Sequence, residues 1–296
     1  MVQVNKQYSL KELIKKRDLI VTAGVGDALS ARVVNDIEGI DALLSSGFAI
    51  SAQQFGLPDT EMYTRSENVE AVSRMTYVSA KPLIADIDTG YGNAVSVIKS
   101  VHEFERAGAA GVIIEDQISP KRCPICVDET NTIIPVSEAV GKIKAAVEHK
   151  SNPDTIIIAR TDATNFDEAV QRAKLYYEAG ADLVQPISKT FKNKEEVKQF
   201  VDQVGCPVSL VIVGWLENLS IEEIRWIGPK IAHFALISVT AMHQAVTEAF
   251  QQLGQKQSIV GMKTPRTAHH ELVKALGMEK VSQLEEMYLP NESEIY

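Results

Sequence analysis

Cysteine is scarce in this sequence. Only three occur in 296 residues, at Cys123, Cys126 and Cys206, and so odd and sparse a count excludes a disulfide scaffold and suits a reducing compartment. Positive charge is also short. Thirty lysines and arginines stand against 39 aspartates and glutamates, a formal net charge of −9, which argues against nucleic acid or an anionic membrane as the partner. No apolar run reaches the roughly 18 residues that a membrane-crossing helix needs. Aromatic residues make up 6% of the chain, too few for a platform on which bases would stack. The six histidines show no H-x-x-x-H or comparable spacing, so zinc hydrolase chemistry is not expected. The opening MVQVNKQYSLKELIKKRDL has no apolar core of a secretory signal, and a cytoplasmic location is expected.

What is present is ordinary in bulk and informative in order. With 45% hydrophobic and 23% charged residues, the chain is globular in type and long enough to bury a sizeable core. Short β-branched runs recur at 19–22, 42–45, 82–88, 111–116, 155–161, 182–185, 207–212 and 233–238. They are nearly all apolar rather than alternating, as parallel strands covered by helices should be. Amphipathic stretches at 94–107, 137–150, 167–179 and 221–227 lie between them. Gly-Ala pairs after Ala107 and Ala179 stop two of these helices just before a strand. Eight such units in about 250 residues predict an α/β protein of the (β/α)8 TIM-barrel type. A doubly wound open sheet is the rival layout, but its Gly-rich first turn is missing. Residues 1–296 read as one barrel domain. Its tail, about 240–296, holds two helical segments at 240–253 and 268–287 where a barrel needs only one, and the surplus either packs on its own barrel or exchanges with a neighbouring subunit.

In a barrel the carboxyl ends of the strands carry the chemistry. The third strand ends in Asp86 and Asp88, whose spacing of two puts both side chains on one face. So apolar a strand should not hold two carboxylates unless a cation neutralises them. Glu115 and Asp116 end the fourth strand beside them. Oxygen ligands from adjacent strands suit a hard divalent ion, Mg2+ or in its place Mn2+. Helix capping or lysine pairing is the rival reading, and for Asp116 it is as strong as the metal one. Arg160, ending the fifth strand, would either grip a substrate carboxylate or pair with one of these acids. After the second strand, Ser45-Ser46-Gly47-Phe48 would let backbone N–H groups approach an anion. The aperiodic stretch 117–135 is long enough to be a lid. In it Lys121 and Arg122 precede Cys123, which favours a reactive or acid/base cysteine on a mobile loop. The Cys123-x-x-Cys126 pair also fits half a zinc site or a redox pair.

Taken together these residues resemble one family. Ser46-Gly47, Ser51-Ala52-Gln53, G-L-P-D ending at Asp59, D-x-D-T-G-Y-G-N from Asp86 to Asn93, Ile114-Glu115-Asp116, P-K-R-C ending at Cys123 and A-R-T-D-A from Ala159 occur in the order seen in the isocitrate lyase / phosphoenolpyruvate mutase superfamily. The likeness runs from about residue 10 to 290 and is similar in length to short members such as 2-methylisocitrate lyase. It implies a (β/α)8 barrel with its eighth helix swapped between subunits of a homodimer or homotetramer. It implies Mg2+ near Asp86, Asp88 and Glu115, partly through water, with Asp88 also facing the substrate. Ser46, Gly47 and Phe48 would line the pocket for an α-oxyacid and Arg160 would hold its carboxylate. Asp59 would lie on the flap after the second strand, and Cys123, beside Lys121, would stand where the lyases carry their acid/base cysteine.

The sequence departs from the family pattern in three places. Pro124-Ile125 replaces the Gly-His after the cysteine. Ile187 stands where the lyases have a glutamate and the mutases a histidine. The run from Val211 to Glu217 lacks the lyases' asparagine and Glu-Phe-Gly. These changes alter the walls that would recognise a second or third carboxylate. The expected activity is a Mg2+-dependent lyase that cleaves a C–C bond of a 2-hydroxy (or 2-oxo) di- or tricarboxylic acid through a metal-stabilised enolate and releases an α-keto acid. The alternatives are P–C chemistry, as in phosphoenolpyruvate mutase or phosphonopyruvate hydrolase, decarboxylation of oxaloacetate, and a non-catalytic metabolite-binding protein.

Overall fold

The computed structural model describes residues 9–123 and 132–290. Eight parallel strands run β1 (Ile20–Val25), β2 (Ala42–Ser45), β3 (Leu83–Asp86), β4 (Gly111–Glu115), β5 (Ile156–Thr161), β6 (Leu183–Pro186), β7 (Ser209–Val211) and β8 (Ile231–Phe234). They pair in the order β6-β5-β4-β3-β2-β1-β8-β7. The seam between β6 and β7 is spanned by a parallel bridge from Val184 to Val208. The result is a nearly closed α/β barrel, with helices packed outside it.

The strands are apolar on both faces because both faces are covered. Leu43, Leu83, Ala85, Val112, Ile114, Ile157 and Ala159 pack outward against the helices. Leu44, Ile84, Ile113, Ile156, Ile158, Leu183 and Ile231 share a second cluster with Leu10 and Leu13. Those two leucines belong to α1 (Leu10–Lys16), which a reciprocal Ser9–Glu12 capping box starts. Burying each leucine contributes about 2 kcal/mol.

Several sequence boundaries shift. The run at 82–88 is strand only as far as Asp86, because Asp88 adopts a left-handed φ of 52° and ends the ladder. Asp86 and Asp88 therefore do not share a strand face; Asp88 sits in the turn that follows. The run at 233–238 gives way to helix from Ile237. The helix expected over 268–287 is broken at Gly277, φ 88°, into His269–Ala275 and Met278–Tyr288. The chain divides into two compact units at Thr240. Within the second, Gln252 bonds both Thr264 Oγ1 (2.7 Å) and the Lys263 N–H (2.7 Å), and Phe250, Val260, Met287 and Tyr288 are exposed. No described helix is long and apolar enough to cross a membrane.

Candidate active site

The turn after β3 is built by its own sequence. Asp88, Gly90, Tyr91 and Gly92 all have positive φ. A Cβ at Gly90 would lie 2.6 Å from Val97 Cγ2, so only glycine fits there. Asn93 then caps the helix Ala94–Arg106, accepting from Val95 and Ser96 N–H at 3.1 Å. The strained turn is locked by side chains. Asp88 N–H donates to Asp86 Oδ1 (3.1 Å), Tyr91 hydroxyl donates to Asp88 Oδ2 (2.9 Å), and Asn68 donates to both Tyr91 Oη (2.8 Å) and the Asp86 carbonyl (3.0 Å).

Lys121 lies at the centre. It is 2% exposed, and its Nζ sits 2.6 Å from Asp88 Oδ1 and 3.1 Å from Asp59 Oδ1. Burial pulls its pKa down, but Asp59, Asp88, Glu115 and Asp86 outweigh that and hold it well above the ordinary lysine value. Lys121 is thus a fixed cation and not a base. Asp88 is pushed up to about 6 by burial, with Lys121 pulling the other way.

Glu115 and Arg160 are register partners on β4 and β5 and pair at 2.8 Å. Burial raises the Glu115 carboxyl, with Arg160 and Lys121 opposing. Arg160 is also gripped side-on by Asp162, Nε to Oδ1 at 2.7 Å and NH2 to Oδ2 at 3.0 Å. Of the two readings that Arg160's position allows, the structure shows the salt bridge. Asp162 in turn accepts from Gln117 Nε2, and its N–H donates to Asp116 Oδ1 (2.8 Å). Asp116 accepts further from Thr161 Oγ1 (2.8 Å) and Tyr176 hydroxyl (2.6 Å), with Arg172 at 3.2 Å. Asp116 is therefore a buried anchor behind Arg160.

Gly47 opens the floor of this cluster. A Cβ there would lie 3.0 Å from Tyr63 Oη, 3.2 Å from Asp86 Oδ2 and 3.3 Å from Lys121 Nζ. Groups from the loops after β2, β3 and β4 thus converge on one small space. Ser46 is otherwise engaged, because its hydroxyl caps the short helix Gly47–Ile50. Phe48 lies on that helix. Cys123 is buried, and its N–H donates to the Asp59 carbonyl at 3.1 Å. The readings that involve Pro124, Ile125 and Cys126 lie outside the described residues.

Among the described residues no three acids converge as a ready-made ligand set. Asp88 leans on Lys121 and Glu115 on Arg160, which leaves Asp86, aimed at the Gly47 space, as the direct donor. One direct carboxylate with two more close by fits Mg2+, which keeps much of its hydration. Asp88 Oδ1 and Glu115 Oε2 are engaged by Lys121 and Arg160 as ion pairs, while buried Glu115 Oε1 makes no hydrogen bond and retains acceptor capacity. Tyr63, Asp162 and Glu61 are absent from the residues that sequence reasoning selected. Asp162 was within reach of it, being two residues past Arg160 on a strand end. Tyr63 and Glu61 carry no sequence signal, because a flap's contacts depend on how it folds back.

The phosphoenolpyruvate phosphomutase family profile matches residues 10–282. The chain is 32% identical to 2,3-dimethylmalate lyase of Eubacterium barkeri over 290 residues, 96% of this chain and 99% of that one. It is 36% identical to 2-methylisocitrate lyase of Aeropyrum pernix over 272 residues, 89% and 86% of the two. A crystal structure of phosphoenolpyruvate phosphomutase from Streptomyces platensis subsp. rosaceus superposes with a TM-score of 0.90 at 30% identity, covering 95% of this chain and 98% of that one. Phosphonopyruvate hydrolase in complex with oxalate and Mg2+ gives 0.87 at 28%, covering 97% and 100%. The chain belongs to the phosphoenolpyruvate mutase / isocitrate lyase superfamily, an enzyme family whose members similar to it include carbon–carbon lyases.

Proposed function

We propose that the protein is a Mg2+-dependent lyase that cleaves a C–C bond of a 2-hydroxy (or 2-oxo) di- or tricarboxylic acid and releases an α-keto acid. The observation that carries this reading is the seating of Cys123. It is buried beside the charged cluster and tied by its N–H to Asp59, whose carboxylate pairs with Lys121 two residues before the cysteine. An acid is thereby held on the rim where a departing carbanion must be protonated.

Asp86 would hold the metal directly, with Asp88 and Glu115 holding its waters. The ion, when bound, supplies Lewis-acid stabilisation of the oxygen that gains charge as the bond breaks. Arg160, fixed by Asp162 and Glu115, holds the substrate carboxylate. Gly47 leaves room for it. Lys121 adds a permanent positive charge that costs no reorganisation during reaction. Burial of this cluster beneath Cys123 keeps water from the carbanion. The exposed apolar residues of the tail are assigned to a second copy of this chain, in a homodimer or homotetramer.

Phosphorus–carbon chemistry is the second reading, favoured by the likeness to the phosphomutase structure. Incubating the reduced protein with Mg2+, 2-methylisocitrate, 2,3-dimethylmalate, oxaloacetate and phosphonopyruvate under proton and phosphorus NMR separates the two. We expect a hydroxy- or oxo-acid signal to fall while an α-keto acid appears, and EDTA to abolish both changes. A phosphorus shift instead would replace the lyase reading. Cys123→Ser should lower turnover by about a hundredfold or more with Mg2+ affinity intact. Unchanged turnover would remove the cysteine from the mechanism.

A further inference from the structure

We propose that Glu61 is a positioning residue that fastens residues 117–123, the segment just after β4 that carries Lys121 and Cys123, over the site. Its carboxylate gathers donors from two other loops. Oε1 accepts from Thr89 Oγ1 at 2.8 Å, in the turn after β3. Oε2 accepts from Ser119 Oγ at 2.6 Å and from the Lys121 N–H at 2.9 Å, in the loop after β4. Glu61 itself lies on the flap after β2, two residues past Asp59. One side chain thus ties together the three loops that carry Asp59, Asp88 and Lys121.

Two features set this contact apart from an incidental surface bond. Glu61 has φ 52°, a left-handed conformation that L side chains adopt reluctantly. A residue chosen for backbone ease would be glycine, so the strain is retained for what the carboxylate does. Thr89 is also a firm anchor, since it is fully buried and its carbonyl accepts from Lys142 Nζ at 3.1 Å. The pull on Lys121 is therefore exerted against a fixed point on the barrel and not against another loose loop. The Cys123 N–H bond to the Asp59 carbonyl is a second link between the same two loops.

The test needs neither metal nor substrate. In a Cys126→Ser/Cys206→Ser background Cys123 is the sole thiol, and its rate of reaction with a disulfide reagent reports how often the loop lifts. Glu61→Gly removes the carboxylate and relieves the backbone. It should melt no lower than the parent yet label about tenfold faster, the loss expected when charge-assisted hydrogen bonds go. Glu61→Gln, which keeps one acceptor oxygen, should fall between. Thr89→Val and Ser119→Ala each remove one donor and should label about threefold faster. They decide the matter should the glycine variant fold poorly. Labelling at the parental rate in Glu61→Gly, or in both donor variants, would overturn the proposal.

A kinetic arm rests on the lyase reading. There kcat should fall about tenfold in Glu61→Gly with KM changed less than about threefold, and Glu61→Gln should restore part of it. Faster labelling with kcat unchanged would also overturn the positioning role. Absence of any turnover in the parent would count against the lyase reading alone, because labelling still judges Glu61.

Discussion

The two halves of the barrel rim are built from opposite materials. From β2 to β5 the strand ends and following loops carry Asp59, Asp86, Asp88, Glu115, Lys121, Arg160 and Asp162, nearly all buried and nearly all paired. From β6 to β8 the buried residues at and near the strand ends include Ile187 and Val213 with the uncharged pair Gln185 and Ser209, and His233 is kept neutral. The first half spends its burial on fixed electrostatics, which serve any α-oxyacid that presents a carboxylate and an adjacent oxygen. The second half offers mainly uncharged surface, which on the proposed reading would distinguish one oxyacid from another. Most of the family's motifs fall in the charged half, Pro124-Ile125 being its one departure, and the other two departures, at Ile187 and from Val211 to Glu217, fall in the apolar half. On the proposed lyase reading, chemistry and choice of substrate would occupy separate sectors of one ring.

The sharpest way to break the charged half is through Asp162. Among the described residues it alone grips Arg160 at two points, and Gln117 and Asp116 hold it in turn. Asp162→Asn keeps the shape but removes the charge, leaving the guanidinium partly uncompensated in a buried site. Breaking such a pair costs about 3–5 kcal/mol. We expect kcat/KM to fall by roughly a hundredfold to a thousandfold, with KM for the oxyacid rising and Mg2+ affinity little changed. A melting scan run alongside separates mispositioning from unfolding. Activity within a factor of about three of the parent would mean that Glu115 alone orients Arg160.

The same contrast explains what could be read before the chain was folded. Strand-end acids and Arg160 were visible because charge at the end of an apolar run is anomalous, and the glycine-rich turn is a local pattern. The barrel was legible from its rhythm. Asp88 was placed on the strand because alternation continues through it, and nothing in the sequence shows that the backbone turns left-handed there. Glu61 and Tyr63 were illegible because their partners lie in loops from other strands, contacts that exist only after the barrel brings the loops together. Ser46 is legible as part of a Ser-Gly turn, but that its hydroxyl caps the helix Gly47–Ile50 is not, because that helix is too short to show any period. Ile187 was legible only as a departure, since an apolar residue at a strand end looks like core until its register is known.

A weaker lever lies in the neutral half. His233 is fully buried on β8, with Nδ1 2.8 Å from Thr22 Oγ1. Burial lowers its pKa from the usual 6.5 to about 3, with Asp86 opposing. Below pH 6.5 the unfolded chain takes up a proton that the folded chain refuses until about pH 3. Stability is therefore lost as pH falls through that window and is complete above it. By pH 5 the loss is about 2 kcal/mol. His233→Gln abolishes this term, so its melting temperature should drop less than the parent's between pH 7 and 5, by about 4 °C. Equal drops in the two proteins would mean that the histidine is hydrated and titrates normally.

The smallest expected effect bears most directly on the comparison. Ile187 is 6% exposed, and its N–H bonds the Thr161 carbonyl at 3.0 Å, which fixes it at the end of β6 next to the strand of Arg160. If the apolar half selects the substrate, trimming one methyl from Ile187 should tell substrates apart without touching the chemistry. Ile187→Val forfeits about 1 kcal/mol of contact with a substrate alkyl group, roughly fivefold in kcat/KM. That loss should appear with an alkyl-substituted acid such as 2,3-dimethylmalate and not with unsubstituted oxaloacetate. A loss shared equally by both substrates would place Ile187 beneath the common carboxylate and oxygen, and the division of the rim into a reacting half and a selecting half would no longer hold.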